Sequence, residues 1–100
     1  MIRRGTTPTQ QFNTSIDLYG ASVLYITYKQ YGKIVVEKTK EDCLITSTYV
    51  ATQLTQAETL LFDDDHKVEI QIRAKFSDGT AVASNIIETD AGAILKGGII

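Results

Sequence analysis

Cys43 is the only cysteine and His66 the only histidine in the 100-residue chain. A single cysteine rules out an internal disulfide. It fits synthesis in a reducing cytoplasm, since small secreted domains usually carry paired cysteines. A single histidine rules out a histidine-based zinc site within one chain, and a mixed site would need Cys43 with distant carboxylates. No apolar run approaches the ~20 residues that cross a bilayer as a helix. Lysine and arginine are scattered and the net charge is −2, so there is no electrostatic footprint for nucleic acid or an anionic membrane. The opening MIRRGTTPTQQF is basic but has no apolar stretch behind it, which excludes a secretory signal there.

What remains is ordinary for a globular domain: 43% hydrophobic and 22% charged residues. A chain of this length buries roughly 60–70% of its unfolded surface, enough for one modest core. The clearest pattern is KVEIQIRAKF, residues 67 to 76, where Val68, Ile70, Ile72, Ala74 and Phe76 alternate with polar residues. Period two marks a strand with one dry and one wet face. Asp78-Gly79 then supplies a tight turn, and TAVASNIIE, residues 80 to 88, is read as the returning strand. A second hairpin is expected from ASVLYITYKQ (21 to 30) and KIVVEKT (33 to 39), broken at Tyr31-Gly32. QQFNTSIDL (10 to 18) gives a first strand, and CLITSTYVATQL (43 to 54) gives two short strands around Thr46-Ser47-Thr48. Thr55-Gln56-Ala57-Glu58 has the form of a capping box. It predicts one short helical turn near residues 56–61 that packs Leu60, Leu61 and Phe62 across the end of the sheets. The sum is an all-β fold, an antiparallel immunoglobulin-like β-sandwich of six to seven strands. Its expected extent is residues 1–90, with residues 1–8 as an N-terminal arm and 91–100 as an apolar tail.

Chemistry is sparse. Asp63-Asp64-Asp65-His66 is the only cluster of potential ligands. A calcium loop alternates its oxygen donors and turns on a glycine; here three consecutive carboxylates are expected to diverge in a solvated turn before a strand. No G-x-S-x-G elbow or phosphate-binding loop occurs, so the expectation is a protein that is not an enzyme and takes no metal, cofactor or small-molecule substrate. Tyr19, Tyr25, Tyr28, Tyr31 and Tyr49 would stack on sugars if exposed together on one sheet. The plainer expectation is that most pack at the sandwich rim.

The segment AGAILKGGII, residues 91 to 100, is unusual because Ile94, Leu95, Ile99 and Ile100 lie close together around two glycines. Most domains fray into polar residues at their ends. Either the segment folds back on its own domain or it docks on a neighbouring subunit as an added strand or plug. The second is preferred, because exposed apolar segments are a liability without a partner.

Four blocks carry a resemblance: IRRGTTPTQQF, TYKQYGKIVVEKTKEDC, LTQAETLLF and VEIQIRAKFSDGTAVASNII. Together they resemble a group of proteins of similar length encoded in the structural modules of phages and prophages of Firmicutes. The opening I-x-x-G-x-T also resembles the N-terminal immunoglobulin-like domain of phage baseplate upper proteins. The resemblance implies a virion structural protein, made in the bacterial host cytoplasm and placed in the tail or baseplate. Baseplate upper proteins continue into receptor-binding modules, whereas this sequence stops at Ile100, so an adaptor or decoration role is expected. Its partners would be other virion proteins and copies of itself, through Arg3 and Arg4 at one end and Ile94, Leu95, Ile99 and Ile100 at the other. The alternatives are a carbohydrate- or surface-binding module that uses the tyrosines, and a capsid decoration or neck protein.

Overall fold

A computed structural model describes all 100 residues. The elements in chain order are β1 (Ile2–Arg3), β2 (Thr9–Asn13), β3 (Val23–Gln30), β4 (Lys33–Thr39), a 3-10 turn (Lys40–Asp42), β5 (Cys43–Ile45), β6 (Tyr49–Gln53), α1 (Gln56–Thr59), β7 (Val68–Lys75), β8 (Ala81–Ala83), β9 (Ile87–Thr89) and β10 (Ala91–Gly92). One sheet has the order β4-β3-β7-β8, with β9 also paired to β7, and the other has the order β2-β6-β5. Both sheets are antiparallel throughout. Their inner faces enclose a core of Leu24, Ile26 and Tyr28 from β3, Val68, Ile70 and Ile72 from β7, and Val50, Leu54 and Phe62 from the opposite layer. The expected all-β sandwich is the fold. It is cut into more strands than the six or seven read from the sequence.

The β3–β4 hairpin forms as read. Its turn residues Tyr31 and Gly32 both have positive φ, 53° and 72°, the backbone a two-residue primed turn requires. Gly32 adopts it freely and Tyr31 does not, so Tyr31 must be held there. Its hydroxyl donates to Asp65 Oδ1 at 2.8 Å, and its ring stacks on His66 with centroids 4.1 Å apart.

The returning strand predicted over residues 80–88 is divided in two, and the register explains why. Val82 lies opposite Ala74 and Ile87 opposite Ile70. Ala74 and Ile70 share the inner face, yet Val82 and Ile87 are an odd number of residues apart and would face opposite ways in one continuous strand. One extra residue is therefore inserted. Ser84 makes the break: its backbone N–H donates to Ile72 O at 2.8 Å, while its hydroxyl takes the place of a ladder carbonyl and accepts from Ile72 N at 3.0 Å. The bulge lets both apolar residues face inward.

Helix α1 has the predicted reciprocal cap. Glu58 N donates to Thr55 Oγ1 at 3.1 Å, and Thr55 N donates to Glu58 Oε1 at 2.9 Å. Of the three apolar residues expected to pack beyond it, Phe62 is fully buried but Leu61 is exposed. Successive residues in a helical turn point about 100° apart, so three in a row cannot share one face. Glu58 also reaches across the layers, where its Oε1 accepts from Lys38 Nζ at 2.7 Å. Nearby, the buried Tyr28 hydroxyl donates to Gln10 Oε1 at 2.6 Å and ties β3 to β2.

Candidate assembly surface

The two ends of the sequence meet at one pole of the sandwich. β1 and β10 pair in parallel, with Ile2 opposite Ala91 and Arg3 opposite Gly92. Ile2 is fully buried and Ala91 nearly so. Residues 1–8 therefore do not project as an arm. They run over the pole and are tied down along their length: Ile2 N donates to Asp90 O at 2.8 Å and Arg4 N to Gly92 O at 3.0 Å, and Thr59 Oγ1 donates to Thr6 O at 2.9 Å. The expected division between residues 90 and 91 falls inside this paired region. The cause is the apolar side chain of Ile2, which gains more by entering the core than by standing in water.

The six residues expected to touch partners fall into two groups. Arg3 donates through Nη1 to Ala93 O at 2.7 Å, and Arg4 through Nη2 to Leu60 O at 3.2 Å. Both guanidinium groups thus clamp the chain's own backbone. Ile94 is half-buried, and its Cδ1 lies 3.0 Å from where a Cβ on Gly5 would stand, so a larger residue at position 5 would make Ile94 shift. Leu95, Ile99 and Ile100 are exposed, Leu95 completely and the others by 68% and 89%. A single hydrogen bond, from Ile100 N to Gln56 Oε1 at 3.0 Å, holds the far end of this segment against α1. The segment after Gly92 forms no regular element. Ile94 thus folds back on its own domain, and Leu95, Ile99 and Ile100 are left in water.

The tyrosines do not form a row on one sheet. Tyr28 is in the core, Tyr25 stands on the outer face of β3, Tyr31 is in the hairpin turn, and Tyr19 is exposed in the loop after β2.

The aspartate run forms the solvated turn expected before a strand, but its carboxylates do not diverge. Carboxylate oxygens of Asp63, Asp64 and Asp65 come within 4.8 Å of one another, all three exposed. The residue responsible is Gln30, whose role was not read from the sequence. It is buried at the inward-facing end of β3, following Leu24, Ile26 and Tyr28 in the alternation. Its Nε2 donates to Asp63 O at 2.8 Å and His66 O at 2.9 Å, and its Oε1 accepts from Asp63 N at 2.7 Å. A polar residue at an inward position of a strand was the available signal, because a buried amide must find partners. Hydrogen bonding to Asp65 and the acidic surroundings push the Tyr31 hydroxyl up from its ordinary pKa. Cys43 is half-buried. Burial pushes its thiol up, away from the thiolate that nucleophilic chemistry uses.

Comparison of the sequence and the structure with protein-family models, curated proteins and solved structures finds no match. The class defined by the geometry is an all-β sandwich whose two chain ends converge on one pole.

Proposed function

We propose that this chain is a virion structural protein, an adaptor in the tail or baseplate of a phage or phage-tail-like particle, and that it joins its neighbours through the pole where residues 1–8 and 91–100 meet. On this reading the sandwich is an immunoglobulin-like module. Its partners are other virion proteins and copies of itself, and neither nucleic acid, a membrane nor a small-molecule substrate enters its work. The observation that supports the proposal most is the exposed trio Leu95, Ile99 and Ile100, presented from a body to which Ile94, Arg3 and Arg4 anchor the chain. Three large apolar side chains in water on a short segment cost free energy unless something covers them. Repeated symmetric assembly supplies such a cover without any catalytic group.

Residues 94–100 can be removed without touching the β1–β10 pairing or the bond from Arg3 to Ala93. The shortened chain is expected to stay folded and to be missing from particles assembled from the genes that accompany it. Incorporation at normal copy number would overturn the proposal.

A further inference from the structure

One side of the sandwich is open. Between the edge strand β2 with its following loop and the divided edge β8–β9 lies a groove of about 420 Å³. Phe12, Ile16 and Leu18 line one wall, and Ile72, Val82 and Ile87 the other. No lining residue carries a charge. Ile16 and Ile87 are 49% and 40% exposed, large values for residues that face a gap between two sheets. The Thr14 hydroxyl, in the same wall, is buried without a hydrogen-bond partner. A more open cavity that shares Phe12, Asn13 and Ile87 continues the gap along β2 as far as Met1 and Thr89. The β2 strand pairs only with β6, so its other edge keeps unpaired backbone groups, which serve as a template for an added strand.

The groove lies toward the end of the body away from the terminal pole, and the second cavity carries the gap on to that pole. β2 runs from Thr9, beside Gln53 just ahead of α1, to Asn13, and the groove begins at Phe12. β7 starts at Val68, opposite Thr89 beside the terminal pole, and the groove touches it only at Ile72 and Ala74. Residues 94–100, whose two ends rest on Gly5 and Gln56, line neither cavity, so the gap is not filled by the chain's own tail.

We infer that the groove between β2 and β8–β9 receives residues 95–100 of a second copy of this chain, which give up the bond to Gln56 as they enter, so that copies associate head to tail. The occupant is argued from three features. The tail has no charged side chain apart from Lys96, and the groove has none. In an extended strand Leu95, Gly97 and Ile99 share one face while Lys96 points the other way, so a dry face enters and the charge stays in water. Gly97, between the two anchors, lets the backbone approach β2 closely. An exposed apolar patch matched to a groove elsewhere on the same molecule makes a heterologous contact, which builds rings or filaments rather than a closed pair. This proposal rests on the assembly reading and adds the acceptor surface to it. A contact of one short segment belongs to the small, weak class of interfaces, strengthened when many copies are held side by side.

The test is sedimentation and light scattering of the full-length protein over a concentration series up to about 1 mM, the weak end of specific affinity. The average mass is expected to rise with concentration. Leu95→Asp in the tail and Ile16→Asp at the groove rim should each weaken self-association by at least about a hundredfold, because a carboxylate would have to enter an apolar contact. Ile34→Asp, at an equally exposed site on the far edge of the other sheet, should leave it unchanged. Mixing the Leu95→Asp and Ile16→Asp proteins should restore pairs that do not grow further, since each keeps one working half. Near-ultraviolet circular dichroism checks that both variants fold. A chain monomeric throughout the series overturns the inference. So does a Leu95→Asp protein that melts lower at unchanged mass, which would place the tail in its own groove. If Leu95→Asp abolishes association and Ile16→Asp does not, the acceptor is wrong while the assembly reading stands.

Discussion

The ion pair between the two layers gives the sharpest stability prediction. Lys38 Nζ sits 2.7 Å from Glu58 Oε1, with side-chain exposures of only 9% and 26%. Glu58→Gln keeps the side-chain oxygen that accepts from Thr55 N, since glutamine serves in a capping box as glutamate does. It removes the negative charge and leaves the Lys38 ammonium enclosed. Breaking a fully buried pair in this way costs about 3–5 kcal/mol. The partial exposure of Glu58 lets water compensate some of that, so about 2–3 kcal/mol is expected here. For a domain of this size that is a fall in Tm of about 10–20 °C. Adding Lys38→Met removes the stranded charge and should restore the protein to within about 1 kcal/mol of the original, because a well-packed apolar replacement is often neutral. The assay is a double-mutant cycle from denaturant melts, in which the coupling energy isolates the pair. The pH dependence checks it independently. Burial alone would push the Glu58 carboxyl up, but hydrogen bonds from Lys38 and the Thr55 amide outweigh it and hold the group below its ordinary value of 4.5. A carboxyl depressed in the folded state contributes stability that is complete above its ordinary value and lost as the pH falls through the folded one. The difference between wild type and Glu58→Gln should therefore be constant near neutrality and shrink in acid below 4.5. A cost under about 0.5 kcal/mol, with no coupling to Lys38, would mean the pair behaves as a surface salt bridge and would refute the reasoning.

Two other buried groups make comparable tests. Gln30→Leu strips partners from the backbone of Asp63 and His66; it should cost about 2–4 kcal/mol in denaturant melts and speed amide exchange at Asp63, and unchanged exchange would show that the loop is held some other way. Tyr28 is buried among the layers, and burial, with Cys43 and Glu58 nearby, pushes its hydroxyl well above its ordinary value of 10.0. A raised pKa means stability is complete below that value and lost as pH rises beyond it, so the Tyr28 phenolate signal should emerge only together with alkaline unfolding, and a separate earlier titration of the wild type, assigned by comparison with Tyr28→Phe, would contradict its burial.

The parts of the fold that were legible in the sequence are those encoded locally. The alternation of Val68 to Ala74, the turns at Tyr31-Gly32 and Asp78-Gly79, and the Thr55–Glu58 cap each lie within a few residues, and each forms. What escaped depends on partners far along the chain. Ile2 enters the core because Asp90 and Ala91 meet it there, and nothing in MIRRG announces that. The three aspartates converge because Gln30, 33 residues away, grips Asp63. The bulge at Ser84 follows from the parity of Val82 and Ile87 against β7, which appears only once the register is known. The same holds for the terminal segment: its apolar residues were visible as composition, but that Ile94 packs beside Gly5 while Leu95 stays in water appears only once the distant parts of the chain have met.

The parallel pairing of β1 with β10 has a mechanical consequence. If residues before Ile2 and after Gly92 are pulled in opposite directions along this pair, the two strands slide past each other. The bonds from Ile2 N to Asp90 O and from Arg4 N to Gly92 O then bear the tension together rather than peeling one by one. The side chain of Ile2 would have to leave the core in the same motion. The pole is thus a shear clamp: a chain loaded through its ends would resist extension there before any strand of the sandwich is drawn out.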